Sequence, residues 1–135
     1  MSILLDTHVL IWAATNSPFL KPSAREILND PEATVFVSAV SALELAIKWS
    51  IGKLSLPVPP SRFISEFISV SGFSQLAMTI RDAASVEELP LFHRDPFDRT
   101  LVAQARNHGL RLMTADPILE KYEVDVIALW LDDDE

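Results

Sequence analysis

Four acids, Asp6, Glu44, Asp98 and Asp116, stand where the sequence pattern passes from an apolar run or a loop into a helix. Asp6 follows the run Ile3-Leu4-Leu5, and Asp116 follows Leu110-Arg111-Leu112-Met113 through Thr114-Ala115. Glu44 closes Ser41-Ala42-Leu43-Glu44, a capping-box pattern that predicts an N-cap at Ser41 and Glu44 at the third helical position. In Asp95-Pro96-Phe97-Asp98 the predicted N-cap is Asp95, Pro96 fits the first helical position, and Asp98 is again third. Backbone N–H groups and the helix dipole keep a carboxylate ionised there, which suits a helix cap and equally a metal ligand. Taken singly, each acid reads as a cap. Gathered at one edge, an all-oxygen set suits Mg2+ or Mn2+, and such a cluster can position phosphate oxygens and activate a water for phosphodiester hydrolysis.

The neighbours of these acids fit the same chemistry without requiring it. Thr7, Ser41 and Thr114 place hydroxyls beside three of them, to orient a carboxylate or simply to cap. Arg94 and Arg99 flank Asp98 and could hold a substrate phosphate, or pair with nearby acids at the surface. His8, His93 and His108 fit no metal-ligand spacing; His93 is a general-base candidate, and His108 before Gly109 reads as a cation at a helix end. Trp12 and Trp49 read as packing rather than as a base-stacking platform.

The elements that must position these residues alternate. A buried strand at Ile3-Leu4-Leu5 leads into a helix with Val9 to Ala13, a second helix runs from Ser23 to Leu28, and Thr34 to Val37 is again a strand. Helices are expected from Ala42 to Ile51, from about Ser61 to Val70, and from Ile80 to Leu89, with a weak strand from Phe73 to Thr79. Phe97, Leu101, Val102 and Ala105 form the apolar stripe of a central helix that Gly109 ends. A strand over Leu110 to Met113, a short helix to Tyr122 and a strand at Val126 to Ala128 follow. This order implies a three-layer α/β/α sandwich with a mostly parallel central sheet, whose carboxyl edge collects the strand ends and helix starts.

With 135 residues and 49% hydrophobic composition the chain reads as one domain over 1–131, with an acidic tail at 132–135. It has no cysteine, which excludes disulfides and thiolate chemistry, and no apolar run long enough for a bilayer, so a cytoplasmic protein with no membrane partner is expected. A net charge of −8 argues against indiscriminate nucleic-acid binding, but four of the 19 acids lie in the tail, and divalent cations at Asp6, Glu44, Asp98 and Asp116 would neutralise much of the rest.

Asp6-Thr7-His8, Ser41 to Lys48 with Glu44, His93 to Arg99 and Thr114-Ala115-Asp116 together resemble the PIN-domain ribonucleases, and more narrowly the VapC-type toxins of bacterial toxin-antitoxin pairs. The resemblance spans nearly the whole chain, and Asp95-Pro96-Phe97-Asp98-Arg99 is its most specific part. It implies that Asp6, Glu44, Asp98 and Asp116 are the catalytic metal ligands, that Thr114 is a supporting hydroxyl, and that Asp95 acts from behind them. It also implies Mg2+- or Mn2+-dependent cleavage of RNA, a homodimer, and inhibition by a small antitoxin protein. Two other readings stand beside it. One is a non-catalytic α/β interaction module whose acids are all caps, which metal binding separates from the nuclease. The other is a phosphoacceptor receiver domain, which would want paired acids after the first strand and a lysine after the last; neither is present.

Overall fold

A computed structural model describes residues 1–131; the acidic tail expected at 132–135 lies outside the described residues. Its strands are β1 (Ser2–Leu5), β2 (Thr34–Ser38), β3 (Ser74–Leu76), β4 (Arg111–Thr114) and β5 (Val126–Ala128). Its helices are α1 (Thr7–Ala14), α2 (Pro22–Asn29), α3 (Ala39–Ser50), α4 (Pro60–Ser71), α5 (Ile80–Ala84) and α6 (Pro96–His108), with 3-10 segments at Ser85–Glu88 and Pro117–Lys121. The five strands pair in the order β3-β2-β1-β4-β5, all parallel.

Residue alternation along the strands builds the layers. Ile3 and Leu5, Val35 and Val37, Met113 and Ile127 turn to one face, where Val9 and Leu10 of α1, Ala24 and Leu28 of α2, and Phe63 and Ile64 of α4 cover them. Leu4 and Leu112 turn to the other face, against Leu101, Val102 and Ala105 of α6. β1 is buried on both faces, hence its unbroken apolar run, and each fully buried aliphatic side chain contributes about 1.5–3 kcal/mol. The result is the expected α/β/α sandwich. α3 bridges both sides, giving Val40 to one core and Leu45 to the other. Between them on its buried face lie Ser41 and Glu44.

The start of α3 corrects the sequence expectation. Its N-cap is Ser38, whose hydroxyl accepts from the Val40 N–H, so Ser41 lies inside the helix and Glu44 in its second turn. No capping box forms at Ser41. Both serines are competent caps, and the earlier start wins because it turns Val40, Ser41, Glu44 and Leu45 inward together. The helix expected from Ile80 to Leu89 is also divided, with α5 giving way to a 3-10 segment from Ser85 to Glu88 before Pro90.

Candidate active site

Parallel strands place their carboxyl ends on one edge, and the chain leaves β1 for β2 and β3 before returning to β4 on its other side. The crevice of this sheet therefore opens between the ends of β1 and β4. Asp6 follows β1 directly, is 4% exposed, and N-caps α1 by accepting the Val9 N–H at 2.8 Å. Its own N–H donates to Met113 O at 3.1 Å, tying the two strand ends together. Asp116 stands two residues beyond β4, where it accepts from the Ile118 N–H while Thr114 Oγ1 accepts the Asp116 N–H at 3.0 Å. The buried Thr114 hydroxyl also hydrogen-bonds the Asp6 carboxylate.

Asp98 enters from the first turn of α6. Asp95 caps that helix, accepting from Phe97 N at 2.8 Å and Asp98 N at 3.4 Å, and so leaves the Asp98 carboxylate free to face the crevice. Burial pushes the Asp98 carboxyl up to about 7, helped by the negative charges of Asp95, Asp6 and Glu44 and opposed by His93. Burial likewise raises Asp6, against hydrogen bonds from Thr114 and Val9, with Asp116 adding to the rise. Glu44, 3% exposed, ion-pairs through Oε2 with Lys48 one turn later, while Oε1 is buried with no hydrogen-bond partner among the described residues. Thr7 and Ser41 join α1 to α3 beside it through a buried Oγ1···Oγ contact of 2.9 Å.

With Asp6 and Asp98 raised by burial and by neighbouring acids, and with a buried orphan oxygen on Glu44, the site is a set of oxygen donors short of positive charge. A divalent cation fits it, since carboxylates are its preferred ligands and its charge removes the repulsion.

The sequence of residues 3–125 matches the family profile described as PIN domain. The chain belongs to the PIN domain family. Among curated relatives, Ribonuclease VapC22 of Mycobacterium tuberculosis is 29% identical to it over 122 residues, covering 90% of this chain and 92% of the relative. Among solved structures, VapBC2 from Rickettsia felis bound to a promoter DNA fragment superposes with a TM-score of 0.73 at 14% identity, covering 95% of this chain and 98% of that one. DNA-bound VapBC from Salmonella typhimurium gives 0.68 at 17% identity, with 96% and 98% covered. At these identities the structural likeness speaks for the fold.

Two residues of this PIN domain depart from their sequence reading. His93 fits no ligand spacing in the sequence, yet its Nε2 lies 2.9 Å from Asp116 Oδ2 and 3.3 Å from Asp98 Oδ2. Its Nδ1 accepts the Asp95 N–H at 2.9 Å, so in the neutral ring the proton sits on Nε2 and is donated to the acids. Only the fold could reveal this, since His93 lies in the loop before α6 and Asp116 arrives from beyond the end of β4. Arg99, expected at the substrate phosphate, is turned away: its NH2 donates to Leu89 O at 3.0 Å and Val86 O at 3.4 Å, closing the 3-10 segment that packs on α6. Arg94 is exposed beside His93 and Asp95, with no hydrogen bond or ion pair among the described residues.

Proposed function

We propose that this PIN domain is a Mg2+- or Mn2+-dependent endoribonuclease and the toxin of a toxin-antitoxin pair, acting in the cytoplasm. The observation that carries the reading is the carboxylate cluster at the crevice between β1 and β4, with Asp6 and Glu44 buried, Asp98 and Asp116 partly buried, Glu44 Oε1 orphaned and Asp98 raised to about 7. The curated ribonuclease relative supports the substrate class.

In this reading Asp6, Glu44, Asp98 and Asp116 hold the cation, which when bound supplies positive charge to the scissile phosphate and acidifies a water. Thr114 holds Asp6 in place by hydrogen bond and the backbone of Asp116 as well. Asp95 fixes the turn that carries Asp98, and through its N–H it fixes the His93 ring, which steadies Asp98 and Asp116. Arg94, exposed and without a partner among the described residues, is suited to a phosphate oxygen. Thr7 supports the junction of α1 with α3.

An antitoxin partner is supported by the solved neighbours, which are VapBC complexes. It is also supported by exposed Leu43, Ile47 and Ile51, which recur every four residues along α3 and its C-cap as an apolar stripe suited to a protein partner or a second copy in a homodimer.

The test is cleavage of single-stranded RNA by the purified full chain. Activity with Mg2+ or Mn2+ is expected, with none in EDTA, and a loss of at least about a hundredfold in Asp6→Asn, which keeps an acceptor for Val9 but lacks the charge. Full activity in EDTA would overturn the reading.

A further inference from the structure

The four acids and their supports leave Lys48 without a role. It lies one turn beyond Glu44 on α3, with its side chain 37% exposed at the rim and its Nζ on the Oε2 of a carboxylate that is itself only 4% exposed. Glutamate–lysine pairs at this spacing are ordinarily solvent-exposed and interchangeable with water. Here one partner is buried, and its other oxygen, Oε1, has no hydrogen-bond partner among the described residues. The bond to Glu44 raises the proton affinity of the ammonium despite some desolvation, and the charges of Asp95 and Asp98 add to this, so Lys48 also sits in the field of the rest of the cluster. A flexible monovalent cation therefore half-neutralises a site whose donors call for a divalent one.

We propose that Lys48 is a placeholder cation: it neutralises Glu44 in the metal-free chain, yields Glu44 Oε2 when a divalent cation binds, and then offers its ammonium to a non-bridging phosphate oxygen of the RNA. The inference rests on the metal-dependent nuclease reading. It follows from competition, because a carboxylate oxygen engaged by an ammonium is less available to a metal, and from geometry, because the released side chain is anchored one helical turn from the cluster and has a solvent-facing end.

The two roles make substitutions act in opposite directions. Mn2+ affinity of the full chain by titration calorimetry, and KM and kcat on single-stranded RNA at saturating Mn2+, are compared for the parent, Lys48→Met, Lys48→Gln and Lys48→Arg. Glutamine can still donate to Glu44 Oε2, so it tests the charge even if the methionine variant fails to fold. The neutral variants should bind Mn2+ at least about threefold more tightly and show KM for RNA raised at least about threefold with kcat unchanged. Lys48→Arg should restore both to near the parent values. Loss of packing alone would weaken metal and RNA binding together. A parent that binds no Mn2+ would remove the nuclease reading and the placeholder with it. A parent that binds Mn2+ and cleaves RNA, with neutral variants that bind Mn2+ no more tightly or keep the parent KM, would overturn the placeholder alone.

Discussion

Asp98 shows how far a residue's surroundings can reverse what its local sequence predicts. The third position of a helix favours an ionised carboxylate, yet burial together with Asp95, Asp6 and Glu44 raises Asp98 to about 7 from an ordinary value of 3.8. A raised carboxyl binds its proton more tightly in the folded chain than in the unfolded one. The stability it lends is present in full below about pH 4 and is lost as pH climbs towards 7. Asp98→Asn should therefore leave the melting temperature in EDTA near the parent value below about pH 4 and raise it at pH 8. The gain should be about 1–2 kcal/mol after allowance for the side chain's 20% exposure, or several degrees. The variant should also lose most of the parent's stabilisation by Mn2+. A lower melting temperature at pH 8 with an unchanged Mn2+ response would make Asp98 a helix cap.

Between elements, a buried polar network joins α5 to α6. Asp82, fully buried, accepts from Gln104 Nε2 at 3.2 Å and Asn107 Nδ2 at 3.1 Å, meets His108 Nε2 at 3.1 Å, and closes a capping box with Thr79. Burial pushes its carboxyl up, but the donors, Asn107 and Gln104 foremost, outweigh it and hold the carboxyl well below the usual range. Gln104 also contacts Ser38, the N-cap of α3, so the network links the helices that carry Glu44 and Asp98. Asp82→Ala strands several buried donors and should cost about 2–4 kcal/mol at pH 7. Because the folded carboxyl is depressed, its stability is present above about pH 4 and lost as pH falls below that, so urea melts should show the gap to the parent narrowing there. An equal gap at pH 7 and pH 3 would mean that packing, not the charge, accounts for the loss. The sequence reading took His108 only as a cation at a helix end and did not single out Asp82, because its side-chain partners other than Thr79 lie more than twenty residues away. The elements themselves were legible. β5 falls at Val126 to Ala128 as expected, and α6 has its Asp95 cap, its Pro96 start and Gly109 in the left-handed region with φ 64°. What escaped was the choice between equal local signals, Ser38 against Ser41 as the α3 cap, which only packing decides.

At the scale of the whole molecule, alternating apolar runs made the parallel sheet and its functional edge readable, because a strand buried on both faces allows little else. Asp6, Glu44, Asp98 and Asp116 could be grouped beforehand from their places at strand ends and helix starts, whereas the meeting of His93 with Asp98 and Asp116 depends on strand order, which composition does not encode. The same view bears on how an acidic chain with a net charge of −8 could hold RNA. In the proposed nuclease reading, binding would not come from a general basic field but from a few local cations, with Lys48 and Arg94 beside the carboxylates and a bound divalent cation supplying the rest. On single strands each neutralised phosphate contributes about −0.7 to the slope of log affinity against log salt. Two to three contacts then predict a slope of roughly −1.4 to −2.1 for RNA binding by a cleavage-inactive variant at saturating Mn2+. Arg94→Gln should make that slope shallower by about 0.7 and weaken binding alike for unrelated sequences, as expected of a phosphate contact that reads no base. A parent slope steeper than about −4 would require a broader basic surface than this chain carries, and would point to RNA held jointly with a partner protein.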